Sequence, residues 1–163
     1  MSAVEILPEA AFDTLILAAV YDPDPSLNRQ FVEPALKSFG HRRVQTALVS
    51  LLTTGTDSEK AGAARAWYWA QIPLRSKGGA RIPDEERKKE YDALEDVRTQ
   101  WREAALGEFI TNEDLDVRRC ILPGLDLNPS HYRAELREAV SAAVHIARTH
   151  PDEYIRHRVE HQV

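Results

Sequence analysis

Apolar residues recur along this chain at spacings of three and four, the period of a helix with one buried face. Phe12, Leu15, Ile16 and Ala19 make the first such stripe, after Pro8 and before Asp22-Pro23-Asp24-Pro25. Ser26 is placed to cap a second helix through Phe39, with Val32, Ala35, Leu36 and Phe39 on one face and Gly40 at its end. Val44, Ala47, Leu48, Leu51 and Leu52 predict a third helix over residues 41–53. Thr56 with Glu59 reads as a capping box for a fourth, reaching residue 72 and rich enough in alanine to let neighbours approach closely. Trp67, Tyr68 and Trp69 end it. At about 100° per residue, three successive rings cannot all face one core.

The pattern fails over residues 73–83, where Arg75, Lys77 and Arg81 surround Gly78-Gly79, and a basic loop insertion is expected there. A charged helix follows from residue 84 to about 110, its narrow stripe made by Tyr91, Leu94, Val97, Trp101, Ala104 and Ala105. Three more helices are expected over about 115–125, 132–149 and 153–161. No alternating segment is bounded by a hairpin turn. The fold class is therefore all-α, in one domain spanning 1–163.

Composition agrees with this pattern. Twenty-one alanines, sixteen leucines and fifteen glutamates stand against seven glycines in 163 residues. The net charge of −5 argues against nucleic acid or an anionic membrane as the partner of the whole surface, since both require clustered excess Lys and Arg. The longest apolar run, Leu15 to Tyr21, is far too short to span a bilayer, and no basic region precedes an apolar stretch at the N-terminus. Cys120 is the single cysteine, so no disulfide forms within the chain, and a packing role is expected of it. A cytoplasmic protein is the expectation.

Reactive chemistry finds little support. His157 and His161 share a helical face but lack a third ligand, and Glu85, Glu86, Glu95 and Asp96 lie on a helix whose mixed signs suit solvent. Phosphate loops, dinucleotide fingerprints and nucleophile elbows are missing from the sequence. Neither a catalytic residue, a metal site nor a cofactor is expected. Tyr68, Trp69, Arg75, Lys77 and Arg81 are the candidate partner-binding residues, an aromatic pair beside a basic loop.

An internal echo carries the remaining signal. Residues 28–36 and 117–125 share an Arg, an aliphatic, a Pro, a small residue and a Leu, which places Arg29 and Pro34 opposite Arg118 and Pro123 and suggests a shared kinked helix. Asp116-Val117-Arg118 is echoed by Glu153-Tyr154-Ile155-Arg156, and more faintly by the segment around Lys60. With its acidic turns followed by helices that open Val-Arg, the chain resembles the HEAT-type helical repeat proteins. The resemblance implies a right-handed α-α superhelix of about four hairpins, with Asp116 and Arg118, and Asp152 and Arg156, tying one hairpin to the next. It further implies a non-enzymatic module binding another protein, as an adaptor, a regulator or an inhibitor or immunity-type binder. The alternative implied is a HEAT-like nucleic-acid protein of the DNA glycosylase type, and such repeats also recur in chromophore-attaching enzymes.

Overall fold

The computed structural model describes residues 5–73 and 84–163. Among them all regular structure is helical and no strand occurs. Helix α1 spans Ala11–Tyr21, α2 Arg29–Phe39, α3 His41–Thr54 and α4 Asp57–Ala70, followed by α5 Asp84–Ala93, α6 Glu95–Thr111 and α7 Leu115–Ile121. Helices α8, Arg137–Arg148, and α9, Glu153–Val159, complete the series. None is long and apolar enough to cross a membrane. Apart from Pro73, the loop expected at 73–83 lies outside the described residues.

Local chemistry places most boundaries where the sequence put them. Thr56 and Glu59 form the expected box: the Glu59 amide donates to Thr56 Oγ1 (3.2 Å) and the Thr56 amide to Glu59 Oε1 (3.0 Å). Gly40 joins α2 to α3 at φ +83°, a conformation that other residues adopt only at a cost. Several boundaries differ. Ser26 does not cap α2; its amide donates to Asp24 Oδ1, and a turn over 24–28 delays the helix to Arg29. The charged helix breaks at Leu94, buried where α5 gives way to α6. Helix α8 starts only at Arg137, because Pro129 and the residues around Ala134 form separate 3₁₀ turns first. The shared kinked helix is not what the two prolines build. Pro34 lies inside α2, whereas Pro123 sits in a 3₁₀ turn, Leu122–Gly124, that ends α7. Proline has no N–H to continue a helix ladder, and at Pro123 the helix has already ended.

Packing centres on α4, which touches α1, α2, α3 and α7. Ala61, Gly62, Ala63, Ala66 and Ala70 are all buried there. Small side chains let backbones approach, and the closest approach is at Gly62, where an added Cβ would lie 1.9 Å from the Val20 carbonyl oxygen. Two rows of neighbours extend from this centre: α3 packs on α6 and α6 on α8, while α4 packs on α7 and α7 touches α9. One contiguous core joins them, with Phe109, Leu48, Leu52, Leu106, Leu122 and Ile155 among its fully buried side chains.

Replacing Gly62 with alanine should therefore destabilise the protein by about 2 kcal/mol or more, since overpacking costs about 1–3 kcal/mol, although alanine is the better helix former. Urea denaturation measures it, and an unchanged or higher midpoint would refute the close contact.

Candidate interaction site

The three rings at the end of α4 go to three environments. Trp67 is 7% exposed and stacks on Trp101 of α6, with centroids 4.2 Å apart and planes within 1°. Tyr68 points outward and is 66% exposed. Trp69 is half-buried: its Nε1 donates to the Pro25 carbonyl (2.8 Å), which fastens the α1–α2 turn to the end of α4. The Arg29 guanidinium lies 5.0 Å from the Trp69 ring centroid and pairs with Glu33 at 2.6 Å. Tyr68 meets Trp69 edge to face at 4.8 Å. Leu27, 53% exposed, belongs to the same turn. The result is an exposed corner of Tyr, Trp, Arg and Leu on a fixed backbone.

Of the expected binding residues, the structure thus brings Tyr68 and Trp69 together, and Arg75, Lys77 and Arg81 lie outside the described residues. Arg29 and Leu27 are additions. Arg29 was read as a repeat residue, yet its side chain serves this corner, a role that depends on α2 and α4 meeting and leaves no trace in local sequence. Between them, Asn28 is fully buried, and neither of its amide atoms has a partner among the described residues. Holding a buried amide unpaired costs stability.

Pro34 lies inside α2, and the remaining repeat residues lie at or beside the turns that join later helices. Asp114 caps α7 by accepting from the Val117 amide (2.9 Å), and Asp152 caps α9 by accepting from the Ile155 amide (3.1 Å). The arginine four residues after each cap reaches backward. Arg118, largely buried, donates to the carbonyls of Phe109 (3.0 Å) and Ile110 (3.2 Å), the otherwise unpaired acceptors at the end of α6. Arg156 donates to the carbonyls of His150 (2.6 Å) and Pro151 (2.8 Å). Asp116 and Arg118 are not partners: the capping acid is Asp114, and Asp116 stays exposed. The corresponding echo runs from Asp114 to Asp152, because an N-cap must stand outside the helix it closes. Adjacent turns are also joined to each other. Lys60 pairs with Glu108 (2.9 Å), Asn112 donates to Asp57 (2.8 Å), and Arg119 pairs with Asp152 (2.5 Å), whose carboxyl this hydrogen bond holds below its ordinary range.

His150 lies in the last of these turns, buried, with Nδ1 accepting the Asp152 amide (3.0 Å). Burial pushes its pKa down, with Arg118 and Arg156 acting in the same direction and Asp152 against. The thiol of Cys120, half-buried beside the Arg65 guanidinium, is pushed up by burial. It is held as a thiol, in keeping with packing. His157 and His161 touch edge to face at 4.7 Å, and no group of three or more metal-ligating side chains occurs among the described residues. The chain has no match among protein-family models, curated proteins or solved structures.

The His150 geometry fixes a pH dependence. An imidazole that accepts at Nδ1 must be neutral there, so the folded state resists protonation more than the unfolded chain, whose histidine titrates near 6.5. This contribution is complete above that value and is lost as pH falls from it through the lowered value of the folded state. Between pH 7 and 5.5 the urea midpoint should fall, and His150→Asn, which keeps an acceptor near Nδ1 but cannot titrate, should flatten the fall. Equal slopes for the two proteins would exclude His150 as the cause.

Proposed function

We propose that this chain is a HEAT-like helical repeat module whose working part is its surface, binding another protein without catalysis. The supporting geometry is twofold. Successive turns carry a cap and a cation four residues on, at Thr56 and Lys60, Asp114 and Arg118, and Asp152 and Arg156, and each turn is joined to the next across the helix rows. Such joints suit hairpins stacked side by side, with the rows α3–α6–α8 and α4–α7–α9 as the two layers of a superhelix.

The exposed corner carries the reading. Tyr, Trp and Arg dominate the residues at which protein interfaces concentrate their energy, because they bring large contact area and directed polar groups for little loss of conformational freedom. Here Trp69 is already held by Pro25 and Arg29, and Tyr68 and Leu27 present area that the other described residues leave largely uncovered. A regulator, an adaptor or an inhibitor or immunity-type binder would each dock in this way. The nucleic-acid alternative would use the tryptophans as stacking platforms, and Trp67 and Trp101 have spent facing sides on each other.

Affinity capture from the native host with the wild-type protein and with Tyr68→Ala tests the proposal. Wild type should retain one stoichiometric protein partner, and Tyr68→Ala should bind it about 30-fold more weakly, the equivalent of about 2 kcal/mol for an anchoring residue, with an unchanged circular dichroism spectrum. Undiminished capture by the variant would remove the corner from the interface. Salt-sensitive retention of duplex DNA in place of a protein would overturn the class.

A further inference from the structure

His157 and His161 stand four residues apart where α9 gives way to a closing turn. Glu160 keeps helical dihedrals, at φ −65° and ψ −19°, and the amides of His161 and Gln162 donate to the Arg158 and Val159 carbonyls. The helical sense thus continues past Val159, and the two imidazoles share one face, a single turn apart. Both are exposed. The charged side chains beside them are engaged elsewhere: Arg158 donates to Gln162 and to the Pro123 carbonyl, and Glu160 pairs with Arg148 of α8 at 2.9 Å.

The distance between the rings is the one a shared ion requires. An imidazole nitrogen bonds such an ion at about 2 Å, which puts the ring centroid about 3.2 Å from it. At ligand angles of about 90–110°, from square-planar to tetrahedral, two such centroids lie about 4.5–5.2 Å apart. The centroids of His157 and His161 are separated by 4.7 Å. Rotation about each Cβ–Cγ bond turns the nitrogens and leaves the ring centres nearly in place, and exposure to solvent leaves that rotation free.

We infer that His157 and His161 form a two-imidazole site for a borderline divalent transition-metal ion, Cu²⁺ ahead of Ni²⁺ and Zn²⁺, with water in the remaining positions. Two donors are fewer than a closed structural centre uses. They nonetheless act as a unit, because bonding of the first holds the second at high effective concentration. The donor set selects the class: imidazole nitrogen suits Cu²⁺, Ni²⁺ and Zn²⁺, whereas Mg²⁺ and Ca²⁺ take oxygen, and among the first three Cu²⁺ binds such ligands most tightly. Glu153, one turn before His157, adds a favourable negative charge. Binding also has a structural consequence. Gln162 fastens the closing turn to the carbonyls of Leu122 (2.8 Å) and Leu125 (3.2 Å), so an ion that ties this turn to α9 reinforces the docking of α9 on the end of α7. The site shares no residue with the aromatic corner and does not depend on it.

Titration calorimetry of the protein with Cu²⁺, Ni²⁺ and Mg²⁺ tests the inference, with the melting temperature followed in parallel. One Cu²⁺ should bind per chain, Ni²⁺ more weakly and Mg²⁺ not at all, and Cu²⁺ should raise the melting temperature until EDTA is added. His157→Asn and His161→Asn should each weaken Cu²⁺ binding about tenfold or more by removing the chelate. His145→Asn, which alters an exposed histidine on α8, should leave it unchanged. The electron paramagnetic resonance spectrum of the Cu²⁺ complex should show two equatorial nitrogens. No saturable binding of Cu²⁺, an equal response to Mg²⁺, a spectrum with one nitrogen, or unaltered binding by either folded His→Asn variant at 157 or 161 would overturn the site.

Discussion

The contact between α1 and α4 at Gly62 sets the spacing from which the rest of the molecule is built. A helix that presents alanine and glycine on most of its surface brings little side-chain volume of its own, and its stability comes from what packs around it. Here α1, α2, α3 and α7 all do so, and the Val20 carbonyl fills the space where a Cβ would otherwise stand. Arg65 completes the arrangement from within α4. Its guanidinium reaches the Val20 carbonyl on α1 (3.2 Å) and the Cys120 sulfur on α7 (3.4 Å), bridging the helices on both sides. A larger residue at the centre would push both neighbours outward and with them every contact that α6, α8 and α9 make.

Polar chemistry is concentrated at the turns. Helices leave unpaired amides and carbonyls at their ends, and at these turns side chains of the protein meet them. Asp114 and Asp152 meet the amides, and Arg118 and Arg156 meet the carbonyls. Arg118 also places a positive charge at the negative end of α6, which is favourable in its own right. Pairing the same turns with one another, through Lys60, Asp57 and Arg119, turns local capping into a link between neighbouring helix pairs.

The end of α4 serves two surfaces of opposite chemistry. One is open and aromatic, built by Tyr68 and Trp69 against the α1–α2 turn, and suits a large partner that can cover exposed rings. The other is a narrow recess between α4, α6 and the segment after α7, lined by Gln71, Arg98, Arg102 and Asp126. One helical segment supplies both because its successive rings are about 100° apart, so Trp67 must turn away from the side that Tyr68 takes.

Helicity, the capping box at Thr56, the role of Gly40 and the close approach along α4 were legible in the chain, because each follows from interactions within a few residues. The echo between the segments near Asp116 and Glu153 was legible as a repeat, although its capping members, Asp114 and Asp152, emerged only when the helix starts were known. What the sequence could not supply depends on contacts between distant segments. Ser26 sits instead in a turn where Asp24 takes its amide and the Pro25 carbonyl meets Trp69, and Pro123 ends a helix where Pro34 lies within one. Arg29 joins the aromatic corner only because α2 meets α4, and Arg98, Arg102 and Asp126 share a cleft only because α6 and the segment after α7 converge. Hydrogen bonds within one helical turn are encoded locally, whereas the surroundings of an exposed ring or a guanidinium are set by which helices become neighbours.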